Sequence, residues 1–173
     1  EIFSGALVGG LWLIFIGLFL RAAAAGGYQS TMMDQTLRRV RVGDIMTREP
    51  VTLTAEMPVA DAIEHYFLRL GYGGFPVVAN GRVVGLLSLS QLRHCPSEER
   101  ARKTVSEIMI PLDPRIEIEP EASAIGAIHK MNEANSRRLL VIDGGKLVGI
   151  ITLTGLTRFV QIKRELSAEI AAD

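Results

Sequence analysis

The chain has 173 residues, with 19 basic and 19 acidic side chains and 48% hydrophobic residues. Balanced charge gives no support to a nucleic-acid-binding surface, which wants a basic stripe, so no nucleic-acid partner is expected. The single cysteine, Cys95, cannot close an internal disulfide, which fits a reducing compartment.

The first element is apolar. Ile2 to Leu20 reads IFSGALVGGLWLIFIGLFL and carries no charge. Its length corresponds to about 28 Å of helix, close to the thickness of a hydrocarbon core. Residues 1–25 are therefore expected to form one transmembrane helix, the end of a truncated membrane domain. Gly5 and Gly9 allow close helix contact, so its expected partners are membrane lipid and further spanning helices of the same protein. Arg21, Arg38, Arg39, Arg41 and Arg48 all follow the span. By the positive-inside tendency, the remainder of this integral membrane protein is expected to be cytoplasmic. Residues 26–41 form a linker in which Met32, Met33, Leu37 and Val40 recur at near-helical spacing.

The remainder repeats itself. Gly81 to Ser90 reads GRVVGLLSLS, and Gly145 to Thr154 reads GKLVGIITLT, at a spacing of 64 residues. Upstream, Val42-Gly43-Asp44-Ile45-Met46 matches Val105-Ser106-Glu107-Ile108-Met109 at a spacing of 63. Each repeat opens on an extended piece, Val51-Thr52-Leu53 or Ile116-Glu117-Ile118. A helix follows, with Val59, Ala62, Ile63, Phe67 and Leu70 on its apolar face in the first repeat and Ala124, Ile125, Ile128 and Met131 in the second. Pro58 stands where a first-turn proline is tolerated. Next comes a hairpin, turning at Asn80-Gly81 in one repeat and at Asp143-Gly144-Gly145 in the other. A last helix closes each repeat, the second one long, near Leu153 to Ala172. The fold class is α+β: strand-helix-strand-strand-helix twice over, at residues 42–96 and 97–173. The two are expected to pack sheet to sheet with pseudo-two-fold symmetry, because one such unit alone buries a marginal core.

Together these segments resemble the CBS domain family, in tandem, over roughly residues 42–165. The carriers are Asp44-Ile45-Met46 with Val51-Thr52, Gly74-Phe75-Pro76-Val77-Val78 and Gly81 to Ser88. In the second repeat they are Glu107-Ile108-Met109, Arg138 to Ile142 and Gly145 to Thr152. The resemblance implies a cleft between the repeats that takes an adenine nucleotide such as AMP or ATP. The positions it assigns to ligand binding are Thr52, Phe75, Pro76, Ser88, Gln91, Ile116, Arg137, Arg138 and Thr152. The family holds the ribose with an Asp three residues after the Ser or Thr. Gln91 and Gly155 occupy those positions here. Ser88 and Thr152 also suit local capping of the following helices. The resemblance further implies a homodimer.

The glycine-interrupted span, the short linker through Tyr28-Gln29 and the CBS pair together resemble the C-terminal end of site-2-protease-type zinc metallopeptidases. That implies a regulatory module whose catalytic part, with its zinc, lies outside this chain. No His-Glu-x-x-His occurs here, and His65, His94 and His129 are isolated, so the chain itself is expected to be non-catalytic, with no metal or cofactor of its own. A ligand-sensing gate of a channel or transporter and a ligand-free dimerisation module are the alternative readings.

Overall fold

The computed structural model describes Ile16 and residues 40 to 170. Apart from Ile16, the expected spanning segment lies outside the described residues, as does the linker up to Arg39. Among those described, no helix is long and apolar enough to cross a membrane.

The elements of the first repeat are α1 (Val42–Ile45), β1 (Thr47–Arg48), β2 (Leu53–Thr54), α2 (Val59–Ala62), β3 (Gly74–Ala79), β4 (Arg82–Ser88) and α3 (Leu89–Arg93). Those of the second are α4 (Val105–Ile108), β5 (Ile110–Pro111), β6 (Glu117–Ile118), α5 (Ala124–Glu133), β7 (Arg138–Asp143), β8 (Lys146–Thr152) and α6 (Leu153–Ile170). The hairpins turn where the sequence places them. Asn80 and Gly81 have φ of 50° and 75°, and Gly144 and Gly145 have 55° and 77°. Two successive left-handed residues give the turn whose twist matches a two-residue hairpin, which is why Asn and Gly stand there.

Two four-stranded sheets result, ordered β2-β3-β4-β5 and β1-β8-β7-β6. Each takes an edge strand from the other repeat: Thr47 and Arg48 pair with Ile150 and Gly149, while Ile110 and Pro111 pair with Leu86 and Gly85. The exchange begins further upstream. Val42 and Gly43 donate to the carbonyls of Ala122 and Pro120, both at 2.8 Å, and Ala124 donates to Val40 at 2.9 Å. In the mirrored arrangement, Val105 and Ser106 donate to Met57 and Ala55 at 2.8 and 2.9 Å, and Val59 donates to Lys103 at 2.9 Å. The repeated Asp or Glu ahead of the Ile-Met pair organises each crossing. Asp44 accepts from the Arg41 N–H at 3.1 Å, and Glu107 from the Thr104 N–H at 2.6 Å. Each satisfies an otherwise orphaned donor at the start of a one-turn helix.

The glycine inside each GRVVG or GKLVG run completes the crossing. A Cβ on Gly149 would stand 2.5 Å from Met46 Sδ and 2.9 Å from the Thr47 carbonyl oxygen. A Cβ on Gly85 would stand 2.8 Å from Met109 Sδ and would overlap the Ile110 carbonyl oxygen. Only a residue without a side chain lets the exchanged strand lie this close.

One core joins Leu53, Val59, Ala62, Phe67, Phe75, Val77 and Leu87 of the first repeat to Val105 of the second. Another joins Leu86 to Ile116, Leu140 and Ile150 between the sheets. Each of these large side chains contributes about 1.5–3 kcal/mol relative to an exposed one, so packing between the sheets joins the exchanged strands in holding the repeats together. Two expectations need correction. Leu70 is not on the buried face of the first helix but is 40% exposed. The helix widens into a π turn over Ile63–Leu68, which re-aims the residues beyond it, and it ends at Gly71 with φ of 69°. Pro58 sits at the N-cap, one position ahead of the first turn, and its backbone bridges to Thr104.

Candidate functional site

The site is built at the ends of β4 and β8, where each strand runs into a helix. Ser88 is the N-cap of α3. Its Oγ accepts from the Ser90 N–H at 3.3 Å and donates to Gln91 Oε1 at 2.5 Å. In the second repeat Thr152 Oγ1 accepts from the Gly155 N–H at 3.0 Å. Both hydroxyls therefore cap their own helices. A Cβ on Gly155 would stand 3.2 Å from Thr152 Oγ1, a tight approach.

Arg138 joins the two ends. It opens β7 directly opposite Thr152, so the two side chains share one face of the sheet. Gly74, its counterpart in the first repeat, lies opposite Ser88. The Arg138 side chain crosses to the first repeat and covers Gly73 and Gly74: a Cβ on Gly74 would be 3.0 Å from Arg138 Cδ and Nε, and one on Gly73 would overlap Nη2. Ser136 fixes the backbone from which Arg138 reaches, its Oγ donating to the Arg138 carbonyl at 2.7 Å and accepting from its N–H at 3.3 Å.

No carboxylate meets this guanidinium among the described residues. Burial lowers its pKa, and the charge of Arg137 adds to that. It stays protonated, as guanidinium groups in proteins do. A half-buried cation without a counter-ion is costly, and such costs concentrate where a ligand supplies the missing charge.

Register and the reach of Arg138 over Gly74 thus link Ser88, bonded to Gln91, with Arg138 and Thr152. The other predicted positions are elsewhere. Phe75 is buried in the first repeat's core, edge-on to Tyr66 and Phe67 with ring centroids 5.9 and 4.9 Å away. Pro76 is buried within β3, and Ile116 lies in the core between the sheets. Thr52 is half-buried just ahead of β2, and Arg137 is exposed, its carbonyl accepting from the Leu153 N–H at 3.0 Å. Gly73 and Gly74 form the floor beneath Arg138, a role the sequence reading missed. A glycine pair at a strand's start is the signal for close approach that marks it. The described residues contain no group of three His, Cys, Asp or Glu able to hold a metal. His65 and His94 each bond through Nδ1 to a carbonyl of their own helix, those of Asp61 and Ser90, at 3.1 and 2.7 Å.

A family model described as the CBS domain matches residues 42–98 and again residues 105–162. The chain belongs to the CBS domain family. Its two CBS domains interlock through the exchanged strands, in the α+β fold that the repeat implies. The chain is 34% identical over 166 residues to a protein of Mycobacterium tuberculosis named as zinc metalloprotease Rip3, a match covering 95% of this chain and 42% of that one. It is 28% identical over 165 residues to a protein named zinc metalloprotease MJ0392 from Methanocaldococcus jannaschii, covering 94% of this chain and 45% of the relative. The chain therefore spans under half the length of either relative. Among solved structures it is similar to CBSX2 in complex with AMP, at 28% identity and a TM-score of 0.62, covering 71% of this chain and 98% of that one.

Proposed function

We propose that this chain is the regulatory CBS pair of a membrane-embedded zinc metallopeptidase of the site-2-protease type. In this reading the pair is cytoplasmic, it associates as a homodimer, and its cleft binds an adenine nucleotide. The carrying observation is the extent of similarity to Rip3. It covers 95% of the chain, whereas the CBS match begins at residue 42. The likeness therefore runs into the apolar region ahead of the pair, which a shared CBS fold alone does not require. Zinc would be held by the part of the parent protein outside this chain. Nucleotide binding is supported by Arg138, which meets no carboxylate among the described residues, and by the AMP bound to CBSX2.

Regulation follows from the interlock. The chain enters the pair at Val40 and is taken up at once by the second repeat, through Ala122, Ala124 and the ion pair of Arg41 with Glu121. A ligand that binds one arrangement of the two repeats more tightly shifts the population toward it. The incoming chain would move with the second repeat, and the preceding membrane segment would feel the shift. The alternative of a ligand-free dimerisation module is favoured by one observation, that Ser88 and Thr152 are already engaged in capping.

The test is cleavage of a membrane substrate by the full-length parent with and without residues 40–173, in the presence and absence of AMP. A severalfold change on deletion, and a response to AMP only with the pair present, are expected. Unchanged cleavage in both comparisons would refute regulation. An effect of deletion without any response to AMP would favour the dimerisation module.

A further inference from the structure

We infer that the cleft selects its ligand by the phosphate and not by the ribose diol, taking a phosphorylated ligand on Arg138 whether or not its sugar carries vicinal hydroxyls. The inference rests on the nucleotide reading above and specifies its chemistry.

A vicinal diol presents two O–H donors and is gripped by acceptors, best by a carboxylate. The two strand-to-helix turns, Ser88 to Gln91 and Thr152 to Gly155, contain no carboxylate. Three of their side-chain acceptors already accept one bond each, and the exposed hydroxyls of Ser90 and Thr154 add only neutral acceptors. Ser88 Oγ accepts from the Ser90 N–H, Gln91 Oε1 accepts from the Ser88 hydroxyl, and Thr152 Oγ1 accepts from the Gly155 N–H. Donors are left over: the Thr152 hydroxyl proton, the Gln91 amide N–H groups and the guanidinium of Arg138, with Thr152 and Arg138 opposite each other on one sheet face. A set that carries one positive charge and no carboxylate fits a ligand group made of acceptors and carrying negative charge. Phosphate is that group, and an uncharged nucleoside is not. The charge is also one-sided. Where the second repeat has Arg138, the first has Gly74, so the pseudo-two-fold supplies one cationic anchor and the phosphate has one place to go.

Calorimetric titration of the 173-residue chain in detergent micelles with ADP, 2′-deoxy-ADP, adenosine and inorganic pyrophosphate tests this. ADP and 2′-deoxy-ADP should bind within about threefold of each other, and adenosine at least about tenfold more weakly, the scale of one lost charge-assisted contact. Arg138→Met should abolish the preference for ADP over adenosine, while Arg137→Met should leave it within about threefold. Thermal melts of both variants and of Arg138→Lys separate lost recognition from lost folding, since Lys retains the charge. A tenfold penalty for the deoxy sugar, or adenosine binding as tightly as ADP, would overturn the inference while the nucleotide reading stood. Binding of pyrophosphate without any adenine compound would do the reverse, and binding of none of the four would end both.

Discussion

Arg138 of the second repeat lies across the backbone of Gly74 in the first, so close that a Cβ on Gly74 would stand 3.0 Å from its Cδ and Nε. This is a cross-repeat contact made by a cation on a surface without side chains. It keeps the guanidinium half-buried yet leaves its N–H groups without a carboxylate partner among the described residues. Gly73, the neighbouring floor residue, offers the cleaner probe. A methyl group there would collide with the flexible end of the Arg138 side chain, and the other near atom, Leu89 Cδ1, is 3.7 Å away. Gly73→Ala should therefore displace the guanidinium at a stability cost within about 0.5 kcal/mol. ADP affinity should fall about fivefold or more as the charge-assisted contact is lost. Titration and a denaturant melt on the same protein decide it, and unchanged affinity would show that Arg138 does not serve the ligand from this position.

The methionine of each Ile-Met pair and the central glycine of the opposite hairpin form a second cross-repeat unit. Gly149→Ala would press on Met46 Sδ and on the Thr47 carbonyl, and overpacking of this kind costs about 1–3 kcal/mol. Met46→Ala in the same chain should recover part of that loss, because it removes the thioether but leaves the carbonyl. A double-mutant cycle on urea midpoints should show coupling of about 0.5 kcal/mol or more. Strict additivity would mean that the two residues do not meet in solution.

Much of this arrangement was legible in the sequence. Asn80-Gly81 and Gly144-Gly145 announce the hairpins because few other residues accept two successive left-handed positions. The spacing of the repeats announces the duplicated fold, and capping by Ser88 and Thr152, which the sequence allowed beside a ligand role, is present. The strand exchange was not legible. Thr47–Arg48 and Ile110–Pro111 are two residues each, too short to show alternation, and Pro111 argues against a strand. Their pairing depends on which repeat lies alongside, a tertiary fact with no local signature. The same is true of Gly73 and Gly74, whose use appears only when Arg138 arrives from 64 residues away, and of the π turn that moves Leu70 outward.

Acid should loosen the lead-in of the second repeat. The Thr104 N–H, and after it the Thr104 hydroxyl, hold the Glu107 carboxyl below its ordinary 4.5. The Arg115 side chain, and after it the Arg115 N–H, hold Asp113 at about 2 against an ordinary 3.8. A folded-state value below the unfolded one stabilises the fold above the unfolded value, and the contribution is lost as pH falls. Both contributions are thus complete at neutral pH. They fade below 4.5 for Glu107, and from 3.8 toward about 2 for Asp113. Glu107 is exposed and Asp113 partly so, and salt should weaken the effect. Chemical denaturation from pH 7 to pH 2 should show a shallower decline for Glu107→Ala and Asp113→Ala than for the unaltered chain. Parallel curves would assign the acid sensitivity elsewhere.

The exchanged strands also forbid the two domains from standing alone. Residues 103–173 without the first repeat lack Val42, fully buried in the intact pair, and lack the strand that covers one edge of β8. Residues 40–98 without the second lack Val105, equally buried, and the strand beside β4. Each fragment would expose the face formed by Leu86 or by Leu140 and Ile150. A unit of that size keeps only a marginal core even when its sheet is complete. Either fragment expressed alone should therefore give a poorly dispersed amide NMR spectrum and aggregate. Mixing the two from denaturant should restore the dispersed spectrum of the pair, because the missing pieces travel with the partner. A well-dispersed spectrum from residues 103–173 alone would show that the crossing is decoration, and that the second domain can receive no pull through Val40.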